Sequence, residues 1–203
     1  MPDNPSTRLR LIVGLGNPGP QHAANRHNAG AILLQQLCGI HGTTLRPQSK
    51  FFGEMASIQI AGQELKLLFP TTWMNHSGKS VSAVCRFFRI EPEQMLVVYD
   101  EIDFDVGVTR FKQGGGHGGH NGLRDIINSL GGSKDFYRLR IGVGHPGHKS
   151  MVSGYVLSDP SRSEVETICH TVEKAIQVLP IAMAGDWDAA MKSLHTAEHK
   201  ICQ

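Results

Sequence analysis

The sequence predicts an α/β fold: a single domain built on a twisted, mixed and largely parallel β-sheet flanked by helices. Three observations carry this. Short apolar runs alternate with helical stripes along the chain, the pattern of a sheet covered by helices. Met95 to Tyr99 is a continuous apolar run, as expected of a strand buried on both faces. Glu54 to Ile60 and Gln63 to Phe69 are apolar-rich runs separated only by Ala61 and Gly62, a hairpin that makes the sheet mixed rather than purely parallel.

In order, residues 1–8 read as a polar leader and 9–203 as the single domain. Leu9 to Val13 is the first strand, ended by the glycine- and proline-rich loop Gly14-Leu15-Gly16-Asn17-Pro18-Gly19-Pro20. A helical stripe starts near Asn28 and runs through Ala31 to Leu37, broken at Gly39 and Gly42. The chain then turns extended and enters the hairpin, which Pro70 stops. In Ser77 to Arg89, the residues Val81, Val84, Cys85 and Phe88 recur at i, i+3, i+4 and i+7, an amphipathic helix. Met95 to Tyr99 is the next strand, and Asp100-Glu101-Ile102-Asp103 sits at its end.

A glycine run from Gly114 to Gly122 precedes another helix over Leu123, Ile126, Ile127 and Leu130, with Asn121 in an N-cap position. Tyr137 to Val143 is a further strand, closed by His145-Pro146-Gly147. A long helix follows Ser161, its apolar face formed by Val165, Ile168, Cys169, Val172, Ile176 and Leu179, and Pro180 ends or kinks it.

Composition excludes several classes. A chain of 203 residues with 40% hydrophobic and 19% charged residues can bury a core without disulfides or metals. No segment approaches the roughly 20 apolar residues of a membrane span, and MPDNPSTRLR lacks a signal-peptide core. The expectation is a cytoplasmic protein with no membrane partner. Cys38, Cys85, Cys169 and Cys202 form no CxxC pair and read as reduced packing residues.

The loop Gly14-Leu15-Gly16-Asn17-Pro18-Gly19 fits the dinucleotide fingerprint G-x-G-x-x-G and follows a strand. Pro18 and Pro20 remove N–H donors, however, and no Asp or Glu lies between Asp3 and Glu54 to hold a ribose hydroxyl. The alternative is a tight glycine turn. It is followed by the polar cluster Asn25-Arg26-His27-Asn28. In open α/β sheets, ligands bind beyond the carboxyl ends of strands, where four loops here can deliver His27, Asp100, Asn17, Asn75 and Asn121 to one rim. A His held by an Asp is a general base near neutral pH, and Asn amides can position a carbonyl or stabilise its oxyanion. A lone structural histidine is the competing interpretation.

His117-x-x-His120 and His145-x-x-His148 invite a zinc reading, but glycine-rich loops do not impose the geometry of H-E-x-x-H and no Cys is nearby. Close backbone approach or a mobile lid suits the glycine run better, beside a merely flexible surface loop. Charge is uneven: Val106 to Met151 holds seven Lys or Arg against Asp125 and Asp135, whereas Glu91 to Asp105 holds six acids and no Lys or Arg. This is a phosphate-contacting surface beside a carboxylate, or ordinary solvated charge.

Leu11 to Gly19, Arg26-His27-Asn28-Ala29-Gly30, Thr72 to Lys79, Asp100 to Asp103 and Gly114 to Gly122 together resemble bacterial peptidyl-tRNA hydrolase. The resemblance runs in order from about Leu9 through His145-Pro146-Gly147 and more loosely onward, making 9–203 a single hydrolase domain. It implies hydrolysis of the ester between a peptide and the 3′-terminal ribose of tRNA, by a monomer without metal or cofactor. His27 is then the general base, Asp100 the group stabilising the reactive imidazole form, and Asn17 a peptide-side residue that distinguishes a blocked amino group. Asn75 and Asn121 contact substrate and water. Trp73 stands where the family commonly has Phe, and His22 where it usually has Tyr. Lys112, Arg140 and Lys149 match positions that meet tRNA phosphates. A non-catalytic tRNA-binding module on the basic segment is the alternative.

Overall fold

The computed structural model describes residues 8–198; the first seven residues of the polar leader (1–8) and Cys202 lie outside them. Seven strands form one sheet: β1 (Leu11–Gly14), β2 (Arg46–Gln48), β3 (Gly53–Ile60), β4 (Gln63–Pro70), β5 (Met95–Glu101), β6 (Thr109–Gln113) and β7 (Tyr137–Gly142). Their spatial order is β2-β3-β4-β1-β5-β7-β6. The central strands β4, β1, β5 and β7 are parallel, while β2-β3, β3-β4 and β6-β7 are antiparallel. The mixed, largely parallel sheet is therefore as expected. The β3-β4 hairpin turns on Ala61 and Gly62, both at positive φ (49° and 76°), the backbone of a two-residue turn matched to strand twist.

Among the described residues there are six α-helices: α1 (Ala29–Ile40), α2 (Ser77–Phe88), α3 (Asn121–Ser129), α4 (Val152–Val156), α5 (Arg162–Met183) and α6 (Trp187–Glu198). Alternation along the strands sorts the core into two layers, because successive side chains leave opposite faces of a sheet. Ile12, Leu96 and Val98 pack with α1, α5 and α6, whereas Leu11, Val13, Met95, Val97 and Tyr99 pack with α2 and α3. Helices α1 and α2 therefore cover opposite faces around β1, which leaves a crevice beyond the strand ends where the chain changes side.

Four features differ from the sequence reading. The sequence reading contains no edge strand β2, outer strand β6, helix α4 or helix α6; β2, β6 and α4 span only three to five residues, too few to show a period. The α3 N-cap is His120 rather than Asn121, which is the first helical residue. The buried stripe of α5 is Ile168, Thr171, Val172, Ala175, Val178, Leu179 and Ala182, rotated so that Val165 is exposed and Cys169 and Ile176 lie at the margin. Pro180 does not end α5: it lies on an exposed face in the last turn, where the lost N–H bond is offset by burial of Leu179, Ala182 and Met183.

Ser161 is the N-cap of α5 and forms a reciprocal capping box with Glu164, an arrangement worth about 1 kcal/mol. Cys38 and Cys85 are buried, unbridged packing residues, and burial pushes the Cys85 thiol up to about 12. No helix among the described residues is long and apolar enough to cross a membrane.

Candidate active site

Gly14 of the first motif and Gly30 in the first turn of α1 serve close packing. A Cβ on Gly14 would lie 2.4 Å from the carbonyl oxygen of Gly30, and one on Gly30 would lie 2.3 Å from that of Val98. The start of α1 is thereby pressed onto β1 and β5. This close approach, rather than a phosphate cradle, accounts for the glycines, and it places the Arg26–Asn28 turn over the end of β5.

There His27 meets Asp100, the penultimate residue of β5. Imidazole Nδ1 lies 2.8 and 2.9 Å from the two carboxylate oxygens, with both side chains buried. On the other side of the carboxylate, His120 Nε2 lies 3.1 Å from Asp100 Oδ1. Its Nδ1 accepts the backbone N–H of Leu123 at 3.3 Å, so the proton of neutral His120 resides on Nε2 and is donated to Asp100. The two imidazoles stand 5.0 Å apart across the carboxylate.

This arrangement also sets protonation. Burial disfavours charge on His27, but attraction and hydrogen bonding from Asp100 outweigh it and raise its pKa above the ordinary histidine value. Burial would raise Asp100, and the two imidazoles reverse this, holding the carboxyl well below the usual carboxylate range. Asp100 is ionised, so His27 donates through Nδ1 and keeps its lone pair on Nε2, which makes no hydrogen bond among the described residues. By distance alone His27, Asp100 and His120 could also hold a metal ion, since their ligand atoms lie within 4.8 Å of one another. Both nitrogens facing Asp100 carry protons, however, which a metal would have to displace.

Asn17 is buried and doubly fastened. Its Oδ1 accepts the Met74 amide at 2.9 Å, while its backbone exchanges hydrogen bonds of 2.8 and 2.9 Å with the Asn28 side chain. The amide orientation this fixes leaves Nδ2 for a ligand. Asn28 has no separate role in the sequence reading of the site; its role comes from contact with a residue eleven positions away. Met74 is flanked by Trp73, 55% exposed, and by exposed Asn75. A Cβ on Gly122 would fall 2.6 Å from Met74 Sδ, so α3 starts directly against this turn and brings Asn121 to the same rim. Asn121 is exposed and accepts from Arg124 at 2.8 Å. His22 touches Trp73 edge-on, with ring centroids 5.8 Å apart.

The basic segment divides. Lys112 is exposed on β6 and Lys149 on the turn before α4. Arg140 is half-buried and donates to Glu101 at 2.9 Å. Arg138 is buried and spends its guanidinium on the carbonyls of Gly115 and Gly116, tying down the glycine run instead of facing solvent. Of the histidines considered for zinc, His117, His145 and His148 accept nearby backbone amides, and only His120 reaches the site. Its sequence signal was its place at the end of the glycine run, where the chain enters α3.

The sequence matches the peptidyl-tRNA hydrolase family over residues 11–201. It is 52% identical over 190 residues to the peptidyl-tRNA hydrolase of Pseudomonas paraeruginosa, covering 94% of this chain and 98% of that one. The Vibrio vulnificus enzyme of the same name is 49% identical over 191 residues, covering 94% and 97%. A 1.00 Å crystal structure of peptidyl-tRNA hydrolase from Acinetobacter baumannii superposes with a TM-score of 0.90 at 43% identity, covering 93% of this chain and 95% of that chain. The chain belongs to the peptidyl-tRNA hydrolase family.

Proposed function

We propose that this enzyme hydrolyses the ester between a peptide, or an N-blocked aminoacyl group, and the 3′-terminal ribose of tRNA, with His27 as the general base. The observation that carries the mechanism is the Asp100 carboxylate on Nδ1 of His27, which dedicates Nε2 to accepting a proton. Nε2 takes a proton from water as the oxygen attacks the ester carbonyl. The tetrahedral oxyanion collapses, the carbonyl carbon–ribose oxygen bond breaks, and the imidazolium returns its proton to the leaving ribose hydroxyl. A peptide carboxylic acid, which ionises by releasing its proton to solvent, and free tRNA result. Asp100 stays ionised throughout and stabilises the imidazolium.

Asn75 and Asn121 supply amides for the carbonyl oxygen and the attacking water. Asn17 Nδ2 meets the peptide side and favours a substrate whose amino group is blocked, with Trp73 and His22 lining that side. Lys112, Arg140 and Lys149 meet the phosphates of the acceptor end, Arg140 while paired with Glu101. An activated ester needs no metal in this scheme. A monomer acting in the cytoplasm, with residues 9–203 as one catalytic domain behind the leader over 1–8, completes the reading. A non-catalytic tRNA-binding module is not favoured, because phosphate binding has no use for a buried His–Asp pair.

Turnover of N-acetylated and free aminoacyl-tRNA by wild type and His27→Ala tests reaction, discrimination and base together. Wild type should hydrolyse the blocked substrate preferentially, and His27→Ala should lose about 10² to 10⁴ in kcat. Equal rates for the two enzymes would remove His27 from the mechanism.

A further inference from the structure

The catalytic base sits on a turn of three residues, Arg26–Asn28, too short to hold its own orientation. Asp100 restrains the imidazole from one side. From the other, the residue immediately before His27 makes a concentrated set of contacts. Arg26 is buried, and its Nη1 donates to Ser158 Oγ at 2.8 Å and the Asp159 carbonyl at 2.9 Å. Nη2 reaches both carboxylate oxygens of Glu164 at 3.2 and 3.0 Å. The guanidinium lies over the Tyr155 ring, 4.4 Å from its centroid, and the Arg26 backbone N–H donates to Ser158 O at 3.1 Å. A planar fork can span these acceptors together, which a point-charge ammonium cannot.

The preceding residue repeats the connection. Asn25 Nδ2 donates to Asp159 Oδ1 at 2.8 Å, while its Oδ1 lies 2.9 Å from His22 Nδ1. Two consecutive residues before the base thus end on one stretch, Ser158 to Glu164, which joins α4 to α5. Neither end of that stretch is loose. Glu164 also accepts the Ser161 N–H at 2.6 Å in the α5 capping box, and Tyr155 Oη donates to the Val143 carbonyl at 2.6 Å, just beyond β7.

We infer that Arg26 is a positioning residue for the hydrolysis: it clamps the His27 turn to the α4–α5 connection and so holds the imidazole in register with Asp100. Asn25 extends the same support to His22. Because Lys149 stands on the turn that leads into α4, the basic rim and the base share one foundation, although Arg26 itself touches no reacting atom. The inference rests on His27 as the base. A misplacement of the order of 1 Å is enough to cost a large part of the rate.

The test compares Arg26→Lys, Glu164→Gln and Arg162→Gln on N-acetylated aminoacyl-tRNA, together with the proton resonance of His27 Nδ1. Glu164→Gln keeps a side chain competent for the capping box but weakens the fork's partner. Arg162 is an exposed neighbour on α5 that pairs with Glu166 at 3.1 Å, and it serves as the charge control. Arg26→Lys should lower kcat about tenfold or more with little change in KM, and broaden or shift the Nδ1 signal. Glu164→Gln should move both readouts in the same direction by less, and Arg162→Gln should move neither.

A folded Arg26→Lys enzyme with wild-type kcat and an unchanged Nδ1 signal overturns the inference. A loss of melting temperature alone does so as well, since that is a merely structural role. If Arg26→Lys does not fold, Glu164→Gln decides in its place, and unchanged kcat and Nδ1 signal overturn the inference. Full activity in His27→Ala would instead remove the reading beneath it, whatever Arg26→Lys does.

Discussion

The two halves of the candidate site are built on opposite terms. Around Asp100 the contacts are made inside the protein: the carboxylate is shared between His27 Nδ1 and His120 Nε2, only Nε2 of His27 is left unengaged among the described residues, and Asp100 is only 3% exposed. Along the rim, Trp73, Asn75, Asn121, Lys112 and Lys149 are exposed. The first arrangement fixes protonation and orientation before substrate arrives, where low dielectric makes each interaction strong. The second leaves amides, an indole and ammonium groups free to be organised by a ligand. On the proposed mechanism, reactivity and recognition are thus separated by burial, and variants in the two regions should fail in different ways.

The largest effect after loss of His27 itself is expected in Asp100→Asn. An amide cannot enforce the same imidazole tautomer, so kcat should fall by about 10² or more while KM changes little. The pH profile sharpens the point. His27 must be neutral to accept a proton, so wild-type activity should rise with pH through a midpoint above the ordinary histidine value; without the Asp100 charge, burial remains and the midpoint should move down. An unshifted midpoint in a measurable Asp100→Asn profile would break the link between the pair and the base.

Stability carries the same signs. Asp100 stabilises the fold above the unfolded carboxylate pKa and loses this as pH falls through its depressed folded value, whereas the His27 contribution is present at low pH and is lost as pH rises through its raised value.

His120→Ala comes next. It removes the second donor to a buried carboxylate and the side-chain cap of α3, so stability should fall by about 1–3 kcal/mol in a denaturant titration. Activity should fall by less than in Asp100→Asn, since Nδ1 of His27 keeps its partner. The smallest effects belong to the rim. Lys112→Ala and Lys149→Ala should each raise KM several-fold with kcat intact, and each should reduce the slope of log affinity against log salt by about 1. A fall in kcat with unchanged salt dependence would erase the distinction between the two regions.

Much of this was legible in the chain. The buried strand that leads into Asp100, the hairpin and the amphipathic α2 and α3 follow from local periodicity, and the quoted motifs carried the family. The role of His120 was not legible, because a histidine in a glycine-rich loop reads like His117 until the two imidazole nitrogens are seen to serve Leu123 and Asp100 separately. The basic stretch was also misleading as a unit: Arg138 and Arg140 lie two residues apart on β7, with Lys112 of β6 opposite Arg138, yet Arg138 is committed to the Gly115 and Gly116 carbonyls. Charge in a sequence counts cations without saying which are already satisfied.

The sequence by itself determined the sheet class, the family and the residue types at the strand ends, because these depend on periodicity, turn chemistry and short motifs. Only the tertiary structure decided that Asp100 is shared between two histidines, that Asn28 fastens Asn17, and that Arg26 ties the His27 turn to a segment more than 130 positions away. The reason is physical. Hydrogen bonds of this kind depend on directions and distances between residues remote in the chain, and no local pattern records where a side chain meets its partner.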